Sequence, residues 1–477
     1  MRAVELLMTA AAVRASGTAQ ADVTISTKPT QNMSCQAGVC SPTAQKAALN
    51  VNDLAGMLAS GDVTVNSGGS LAKNIVVKDA LSWTATSRLT LDANQSVEID
   101  KPVTVAGTGA ITITYNDGGS GGDLLFEGKG NATFWDLSSS LVINSNSYIL
   151  VKKLRDLKKA IAANPTGFFA LAANYNAQKD GTYSKTVIHT VGVNQTIEGL
   201  GNQIQNLTMA STAHPVLALI KDNRGTIRDL GLTNVNINAP NSGAAGLVIF
   251  NEQQISNVYV SGTIAAADQA AGIAAQSIGT IANSHVAVNV SGTDDALTGP
   301  ISGDNGGLIQ ASYAMGAVTG SYAGGIAGIN GGTISQCYSA AAVTPIGRQG
   351  GGLVGQNDGV ITNSYATGQV NGGGGAIGTN GGSSIAAIYS TGFVNSGGGL
   401  VGVDEAQTFS NSYWDLDTSG ISNPHQGAGT PPDDPGITGL TDDQLKSGLP
   451  EGFDAKIWGQ KQSINGGYPY LRAIPPS

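Results

Sequence analysis

The sequence is poor in charged residues, and the basic ones do not form a large cluster. Asp, Glu, Lys and Arg make up only 12% of the chain, against roughly 25% in an average globular protein. The formal net charge is −9, whereas nucleic-acid binding requires a concentrated basic surface. The densest basic run, between Lys152 and Lys159, has the spacing of the solvated face of a short helix. The charge pattern therefore argues against a nucleic-acid partner.

Long apolar runs are also missing. Beyond the first residues, no stretch of 18 consecutive apolar residues occurs, so the sequence predicts no transmembrane helix. Residues 1–21 have the pattern of an export signal: Arg2, a mostly apolar stretch, and Ala19-Gln20-Ala21 before Asp22. We therefore expect a secreted or cell-surface protein, associated with an outer membrane.

Cysteine is rare, with three residues in the chain. Cys35 and Cys40 enclose four residues, and in an exported chain we expect them to form a disulfide. Two cysteines without a nearby histidine cannot complete a tetrahedral zinc site. Cys337 occupies a repeat position that elsewhere holds small or aliphatic residues, which predicts a small buried side chain. The four histidines have no metal-ligand or triad spacing, so we predict no metal, no cofactor and no catalytic residue.

Glycine, in contrast, is abundant, with 67 residues, while the hydrophobic share of 41% is near normal. Aligning the chain with itself reveals a repeat whose sharpest copy runs from Gly352 to Tyr365. Copies end at Tyr259, His285, Tyr313, Tyr338, Tyr365, Tyr389 and Tyr413, which are 24 to 28 positions apart. Because propeller blades need about 40 residues, this period predicts an all-β fold, a right-handed parallel β-helix (β-solenoid) with one coil per repeat.

Two repeat positions suggest columns of identical side chains that run from coil to coil. Coils stack at about 4.8 Å, so amides at one position can bond to the coils above and below. The predicted structural ladder of amides comprises Asn223, Asn251, Asn305, Asn330, Asn357 and Asn380. The second predicted ladder is aromatic and comprises Tyr259, Tyr313, Tyr338, Tyr365, Tyr389 and Tyr413, with His285 taking one slot by stacking. A sugar-binding strip is the alternative interpretation of these tyrosines, and packing between coils is the favoured one.

The flanking segments complete the predicted organisation. After the signal, 22–145 is an irregular N-terminal β-solenoid region, and 146–217 contains a helix plus strands that lead into the array. The helix carries Leu150, Leu154, Leu157 and Ile161 on one face and stops before Pro165. The repeat array covers 218–418. Residues 419–477 are expected to form a loop over Ser419 to Gly436 and a C-terminal cap with a helical turn at Leu440 to Leu445.

The sequence of residues 351–368 resembles the GLUG motif of large bacterial surface proteins and filamentous-haemagglutinin-like adhesins. The likeness extends to Thr196–Thr208 before the array and to Asn411–Asp415 after it. This resemblance implies a secreted or surface-displayed β-helix used in adhesion or biofilm contact. Its partner would be a cell-surface or matrix ligand such as a glycan, with an outer-membrane protein for secretion. The motif brings no catalytic residues with it.

A polysaccharide-acting β-helix lyase or hydrolase is the main alternative, and a purely structural stalk or matrix protein is the other. Such enzymes need clustered carboxylates on neighbouring coils. Candidate acids are Asp222 with Asp229, and Asp404 with Asp415 and Asp417, but the best-ordered coils carry only Asp358 between Asp304 and Asp404. Asp117 to Asp123 faintly resembles a calcium-binding repeat, although a plain glycine loop is the preferred interpretation. We therefore expect a non-catalytic protein.

Overall fold

The computed structural model describes residues 22–118, 121–213, 215–382 and 384–476. The predicted export signal at 1–21 and His214 lie outside these ranges. The described chain divides into two compact units. The first comprises the residues up to 175 together with 194–203 and 228–231, and the second comprises 176–193, 204–227 and the residues from 232 onward. Both are built almost entirely from stacked parallel strands, which confirms the predicted β-solenoid.

In the first unit, strands from successive coils form three columns. Side chains alternate between the core and the outside, so that Val63 and Val65 are buried while their neighbours are half-exposed. One column contains, in spatial order, Leu124–Phe126, Val97–Ile99, Asn74–Val77, Asp22–Ser26 and Ala47–Asn50. The second contains Ala132–Phe134, Val103–Val105 and Leu81–Trp83. The third contains Val39–Pro42, Val63–Asn66, Arg88–Asp92, Ala110–Thr114 and Ser140–Ile143.

Some pairings in the described part of this unit are antiparallel. Met33–Gln36 pairs with Val39–Pro42 to form a hairpin. Asn146–Val151 runs back along Ser140–Ile143 and then pairs in parallel with Phe168–Leu171. Phe168–Leu171 in turn pairs with Thr196–Glu198.

The structure contains three α-helices in its described part. α1 (Val51–Leu58) follows Asn50, whose side chain accepts hydrogen bonds from the backbone amides of Asn52 and Asp53. The helix buries Val51, Leu54 and Leu58. The sequence pattern did not reveal this helix, because the spacing of its apolar residues is equally compatible with a strand. α2 (Leu154–Ala163) corresponds to the predicted helix, but Leu150 belongs to the preceding strand. α3 (Asp442–Lys446) begins two residues later than expected, with Thr441 and Gln444 forming a capping box.

Among the described residues, no helix is both long and apolar enough to cross a lipid bilayer.

The second unit is organised around one sheet of ten parallel strands. Its strands are, in order, Ile188–Val191, Ile220–Asn223, Val248–Asn251, Ala274–Ser277, Ser302–Asn305, Ala327–Asn330, Val354–Asn357, Ile377–Asn380, Val401–Asp404 and Ala428–Thr430. The register sets equivalent repeat positions opposite one another, so that Asn330 pairs with Asn305 on one side and Asn357 on the other. The last strand lies inside the predicted loop at 419–436, which shows that this prediction was wrong for that stretch.

Each coil of this unit then turns through two further strand columns. The column after the asparagines contains Gln254–Ser256, Thr280–Ala282, Leu308–Gln310, Thr333–Ser335, Val360–Ala366, Ser384–Ser390 and Phe409–Ser410. The column that carries the aromatic positions contains Tyr259–Ala266, His285–Ser291, Tyr313–Gly320, Tyr338–Ser339 and Ser412–Asp415. Short strands close the coils at Ala244–Ala245, Gln269–Ala271, Leu297–Gly299, Tyr322–Ala323, Gly350–Gly351, Gly373–Gly374 and Gly397–Gly398. Ile437–Leu440 pairs with Ser412–Asp415.

The corner before each aromatic position explains the Asn of the Asn-Ser-Tyr motif. That residue is left-handed in seven successive coils: Asn257, Asn283, Ala311, Gln336, Asn363, Ala387 and Asn411, with φ between 44° and 54°. Asparagine tolerates this conformation because its short polar side chain can bond locally, whereas alanine is strained there. Glycine is required elsewhere by close stacking. A Cβ on Gly359 would lie 2.1 Å from the carbonyl oxygen of Gly332 in the preceding coil.

The left-handed corner yields a first prediction. Ala311 has a φ of 46°, so replacing it with glycine should relieve strain and raise the free energy of unfolding by about 0.5–1 kcal/mol. Ala317, which lies on an exposed strand position of the same coil, is the matched control, and Ala317→Gly should lower that free energy. Urea denaturation of both variants provides the measurement. A loss of stability in Ala311→Gly would contradict the proposed role of the corner.

Candidate functional site: the ladders of the repeat array

A column of buried amides joins the coils of the second unit. In each pair the Nδ2 of one asparagine donates to the Oδ1 of the residue one coil further on. The bonded pairs are Asn223 to Asn251 (2.8 Å), Asn305 to Asn330 (2.7 Å), Asn330 to Asn357 (2.8 Å), Asn357 to Asn380 (3.1 Å) and Asn380 to Asp404 (2.9 Å). All these side chains are at most 1% exposed. Because every donor points in the same chain direction, the bonds within each uninterrupted run of the column polarise one another.

The column is interrupted at Ser277, which stands where the other coils carry asparagine. Its hydroxyl accepts from Asn251 Nδ2 at 3.1 Å. The serine side chain is too short to continue to the next coil. Among the described residues, the Oδ1 of Asn305 has no hydrogen-bond partner although it is buried. An unsatisfied buried acceptor costs about 1–3 kcal/mol, so this coil junction is the weak point of the column.

The serine of Asn-Ser-Tyr forms a further ladder, in addition to the asparagine and tyrosine ladders. The repeat pattern did not reveal it. The hydroxyl of Ser284 accepts from Val258 N, that of Ser312 from Ser284 N, and that of Ser364 from Cys337 N, each at 3.1 Å. Cys337 lies in this position and is fully buried, with its sulfur 3.3 Å from the carbonyl oxygen of Ser335. Burial raises the pKa of the Cys337 thiol to about 12, so it has no thiolate character at neutral pH.

The aromatic positions form a continuous stack of rings. Successive centroids from Tyr259 through His285, Tyr313, Tyr338 and Tyr365 to Tyr389 are 4.7 to 5.0 Å apart. From His285 onward the planes are within 11° of parallel. Burial lowers the pKa of His285 to about 4, so this ring is neutral at pH 7 and stacks without a charge. Only ring edges remain for contacts outside the column.

The C-terminal tail covers the far end of this stack. Trp458 packs on Tyr365 and Tyr389, with centroids 6.0 and 5.9 Å away, and Phe453 lies between Trp458 and Tyr413. The Tyr389 hydroxyl donates to the carbonyl oxygen of Pro469 at 2.6 Å. The tail therefore lies along the side of three coils, where its tilted aromatic rings contact the tyrosines of the array.

The predicted candidate acids are engaged in structural bonds. Asp415 is fully buried and accepts from the backbone amides of Asp417 and Thr418, and from the hydroxyl of Tyr468 at 2.8 Å. The carboxylate of Asp417 accepts from Asp442 N, the first residue of α3. Asp222 lies 3.8 Å from Lys221 Nζ. Asp415 and Asp417 therefore hold a turn and the start of α3 in place.

A buried charge cluster in the first unit was missed by sequence reasoning. The guanidinium of Arg228 lies 2.6 Å from Asp229, 3.3 Å from Glu198 and 2.7 Å from Asp123, and it donates to the hydroxyl of Tyr115. Burial, and then the charge of Asp229, raises the pKa of Glu198 well above its usual range. One cation therefore holds three carboxyl groups, a balance that favours a retained proton on the Glu198–Asp229 pair.

The other residues singled out in the sequence form a disulfide or ion pairs. Cys35 and Cys40 form a disulfide at the hairpin of the first unit. In the loop at 117–123, of which 119 and 120 lie outside the described ranges, Asp123 binds Arg228. His425 lies 2.7 Å from Asp433 on the surface. The described residues contain no group of three or more His, Cys, Asp or Glu placed to hold a metal ion.

Two carboxyl groups meet at the end of the amide column. Asp404 and Asp434 are 1% and 5% exposed, and within the described chain the Oδ2 of each has no hydrogen-bond donor. Asp404 Oδ1 accepts from Asn380, and Asp434 Oδ1 accepts from Gly436 N. Burial, together with the neighbouring Asp404 carboxyl, raises the pKa of Asp434 to about 6. A proton retained on Asp434 relieves the repulsion between the two carboxyl groups.

The interruption at Ser277 yields a second prediction. Ser277→Asn should connect Asn251 to Asn305 and raise the free energy of unfolding by about 1 kcal/mol, because the orphaned acceptor of Asn305 gains a donor. Ser277→Ala, the matched control, removes the acceptor for Asn251 and should lower that free energy by a similar amount. Chemical denaturation measures both. An asparagine variant no more stable than the parent would contradict the continuity of the column.

The carboxyl pair yields a third prediction, on pH. Because the folded-state pKa of Asp434 is about 6, above its ordinary value near 3.8, protonation favours the folded state. Protonation of Asp434 contributes fully to the free energy of unfolding below about pH 4, and this contribution is lost as the pH rises through 6. The loss is on the order of 1–2 kcal/mol after allowance for solvent screening. Asp434→Asn should abolish this part of the pH dependence, while Asp443→Asn, at an exposed carboxylate of α3, should retain it. Identical pH profiles for the parent and Asp434→Asn would contradict the proton retained on Asp434.

Comparisons with known proteins bear on the repeat itself. The family called the GLUG motif matches residues 347–371, which span the strands Val354–Asn357 and Val360–Ala366 of one coil. No curated protein sequence matches the chain.

Among solved structures, a protein of Bacteroides ovatus described as a candidate immunoglobulin A1 protease is similar over 69% of this chain and 92% of its own. The two are 16% identical with a TM-score of 0.37, which transfers no activity. Together with the stacked coils, the motif match shows that this chain is a β-solenoid repeat protein carrying the GLUG motif.

Proposed function

We propose that this chain is a secreted or surface-displayed, adhesin-like scaffold that makes contact with other cells or a matrix without catalysis. The observation that carries the proposal is the use of the recurring repeat positions inside the array: asparagine, serine and tyrosine side chains bond or stack from coil to coil. A surface held this way is rigid, so binding to it costs little conformational entropy. The disulfide in the first unit suits an oxidising compartment outside the cytosol.

Contact residues are best sought where the coils differ in sequence. On one edge of the array, loops of adjacent coils bond to one another: Thr293 Oγ1 donates to the carbonyl oxygen of Ala267, and Tyr322 N donates to that of Ala296. We call this surface the loop edge, and it comprises residues 292–296, 320–322 and 345–349. It offers the exposed carboxylates of Asp294 and Asp295 and the guanidinium of Arg348, which lies 4.3 Å from the ring centre of Tyr322.

This combination is suited to a polar, ring-shaped ligand. A half-buried tyrosine ring offers an apolar surface, while nearby charged groups can accept or donate hydrogen bonds to hydroxyls. The proposed ligand class is therefore a glycan of a cell surface or matrix. The buried aromatic stack is less suited, because its faces are already covered by neighbouring rings.

The fourth prediction tests this assignment on a glycan array. The parent chain should bind a defined set of glycans, and a reducing-end assay on those hits should show no turnover. Arg348→Ala should weaken binding about tenfold by removing a charged hydrogen-bond donor, and Asp294→Asn should weaken it less. Thr263→Ala, at an exposed strand position in another coil, is the control and should bind like the parent.

Three results would overturn the proposal. Release of reducing ends that disappears in Asp415→Asn or Asp417→Asn would indicate a polysaccharide-acting enzyme. Absence of binding to any glycan would favour a purely structural stalk. Binding that is unchanged in every loop-edge variant would place the ligand elsewhere.

A further inference from the structure

The first unit displays a small cluster of apolar side chains. Trp135, Leu137 and Ile149 are 63%, 45% and 40% exposed. Seven large apolar side chains are exposed in the described part of the chain, and these three lie within fifteen residues of one another in sequence. We call them the apolar patch.

The fold brings the three side chains to one place. Asn146–Val151 runs antiparallel to Ser140–Ile143, with Leu141 opposite Tyr148. Continuing that register sets Ile149 opposite Ser140, three residues from Leu137. Lys152, which follows this strand, lies next to Trp135, because its ammonium group donates to the backbone carbonyl oxygen of Trp135.

The turn that presents Trp135 and Leu137 is well defined. The carboxylate of Asp136 accepts from both the backbone amide and the hydroxyl of Ser138, each at 2.8 Å. The amide of Trp135 donates to the carbonyl oxygen of Val105 in the preceding coil. The exposed side chains are therefore held outward by bonded backbone, so they lose little backbone entropy on binding.

A basic surface continues from the patch along α2. Lys153, Arg155, Lys158 and Lys159 are exposed, while the helix buries Leu154, Leu157 and Ile161 against the unit. Residues 135–159 contain five basic side chains and two acidic ones, Asp136 and Asp156. Five minus two gives a local net charge of +3, in a chain whose formal net charge is −9.

From this juxtaposition we infer that the apolar patch and the basic face of α2 together form a docking surface for an anionic lipid membrane. Trp135, Leu137 and Ile149 would enter the headgroup region, where the indole ring is favoured, and the basic side chains would contact lipid phosphates. A soluble polyanion would need the charges but not the apolar patch. This inference does not depend on the proposed glycan ligand, because it concerns a different unit and different residues.

The chain has its own reporter for a direct experiment. Of its four tryptophans, Trp83, Trp414 and Trp458 are at most 4% exposed, whereas Trp135 is 63% exposed. Tryptophan emission in the folded protein should therefore shift to shorter wavelength on vesicle binding through Trp135 alone. The fifth prediction is that vesicles of phosphatidylcholine mixed with phosphatidylglycerol cause this shift, that brominated acyl chains quench it, and that pure phosphatidylcholine vesicles cause neither.

Variants separate the two components of the surface. Trp135→Ala should abolish the shift and weaken co-sedimentation with the mixed vesicles about tenfold, through lost apolar burial. Lys158→Glu combined with Lys159→Glu should weaken it at least tenfold at low salt. Matched controls are Ile278→Ala, at an exposed apolar residue of the second unit, and Lys456→Glu, at an exposed lysine of the tail; both should bind like the parent.

Several outcomes would overturn the inference. No binding to the mixed vesicles would refute it, as would equal binding to pure phosphatidylcholine vesicles. Heparin binding that competes with vesicles, together with a Trp135→Ala variant that binds like the parent, would show a surface for soluble polyanions instead. Loss of vesicle binding with glycan binding intact would leave the adhesin proposal standing, so the two failures are distinguishable.

Discussion

Stacking of identical side chains in register, at the spacing of one β-coil, is the interaction on which the array depends. Within the run from Asn305 to Asn380, each buried asparagine donates to the residue in the next coil, and Asn330 both accepts from Asn305 and donates to Asn357. A buried amide without a partner is costly, so a shift of register by one residue would leave the whole column unpaired. The serine and tyrosine columns impose the same register, and the three together fix one way of winding the chain.

This use of polar residues also shapes the chemistry of the molecule. The recurring polar side chains of the array face the same position in the next coil, as Asn330 faces Asn357. Ring stacking likewise covers the faces of the tyrosines, and the tail covers more of them through Trp458. We therefore propose that recognition falls to residues outside the repeat, such as Arg348 on the loop edge and Trp135 in the first unit.

Much of the fold could be predicted because repetition multiplies a weak signal. The period located the coils, and the residues named for the asparagine and tyrosine columns do lie in common columns. α1 could not be found, since eight residues are too few to distinguish a helix from strands. The serine column was missed because Cys337 and Ile388 break its identity. Arg228 bonds to Tyr115 and Asp123, which are more than 100 positions away in sequence. No local sequence pattern predicts such a contact.

The central claim, that coil-to-coil amide bonds hold the array, is tested most directly by a double-mutant cycle on Asn330 and Asn357. The free energy of unfolding is measured for the parent, Asn330→Ala, Asn357→Ala and the double variant. The account predicts that the double variant loses at least about 1 kcal/mol less than the sum of the single losses, because the bond between the two amides can be lost only once. Additive losses within about 0.3 kcal/mol would contradict it.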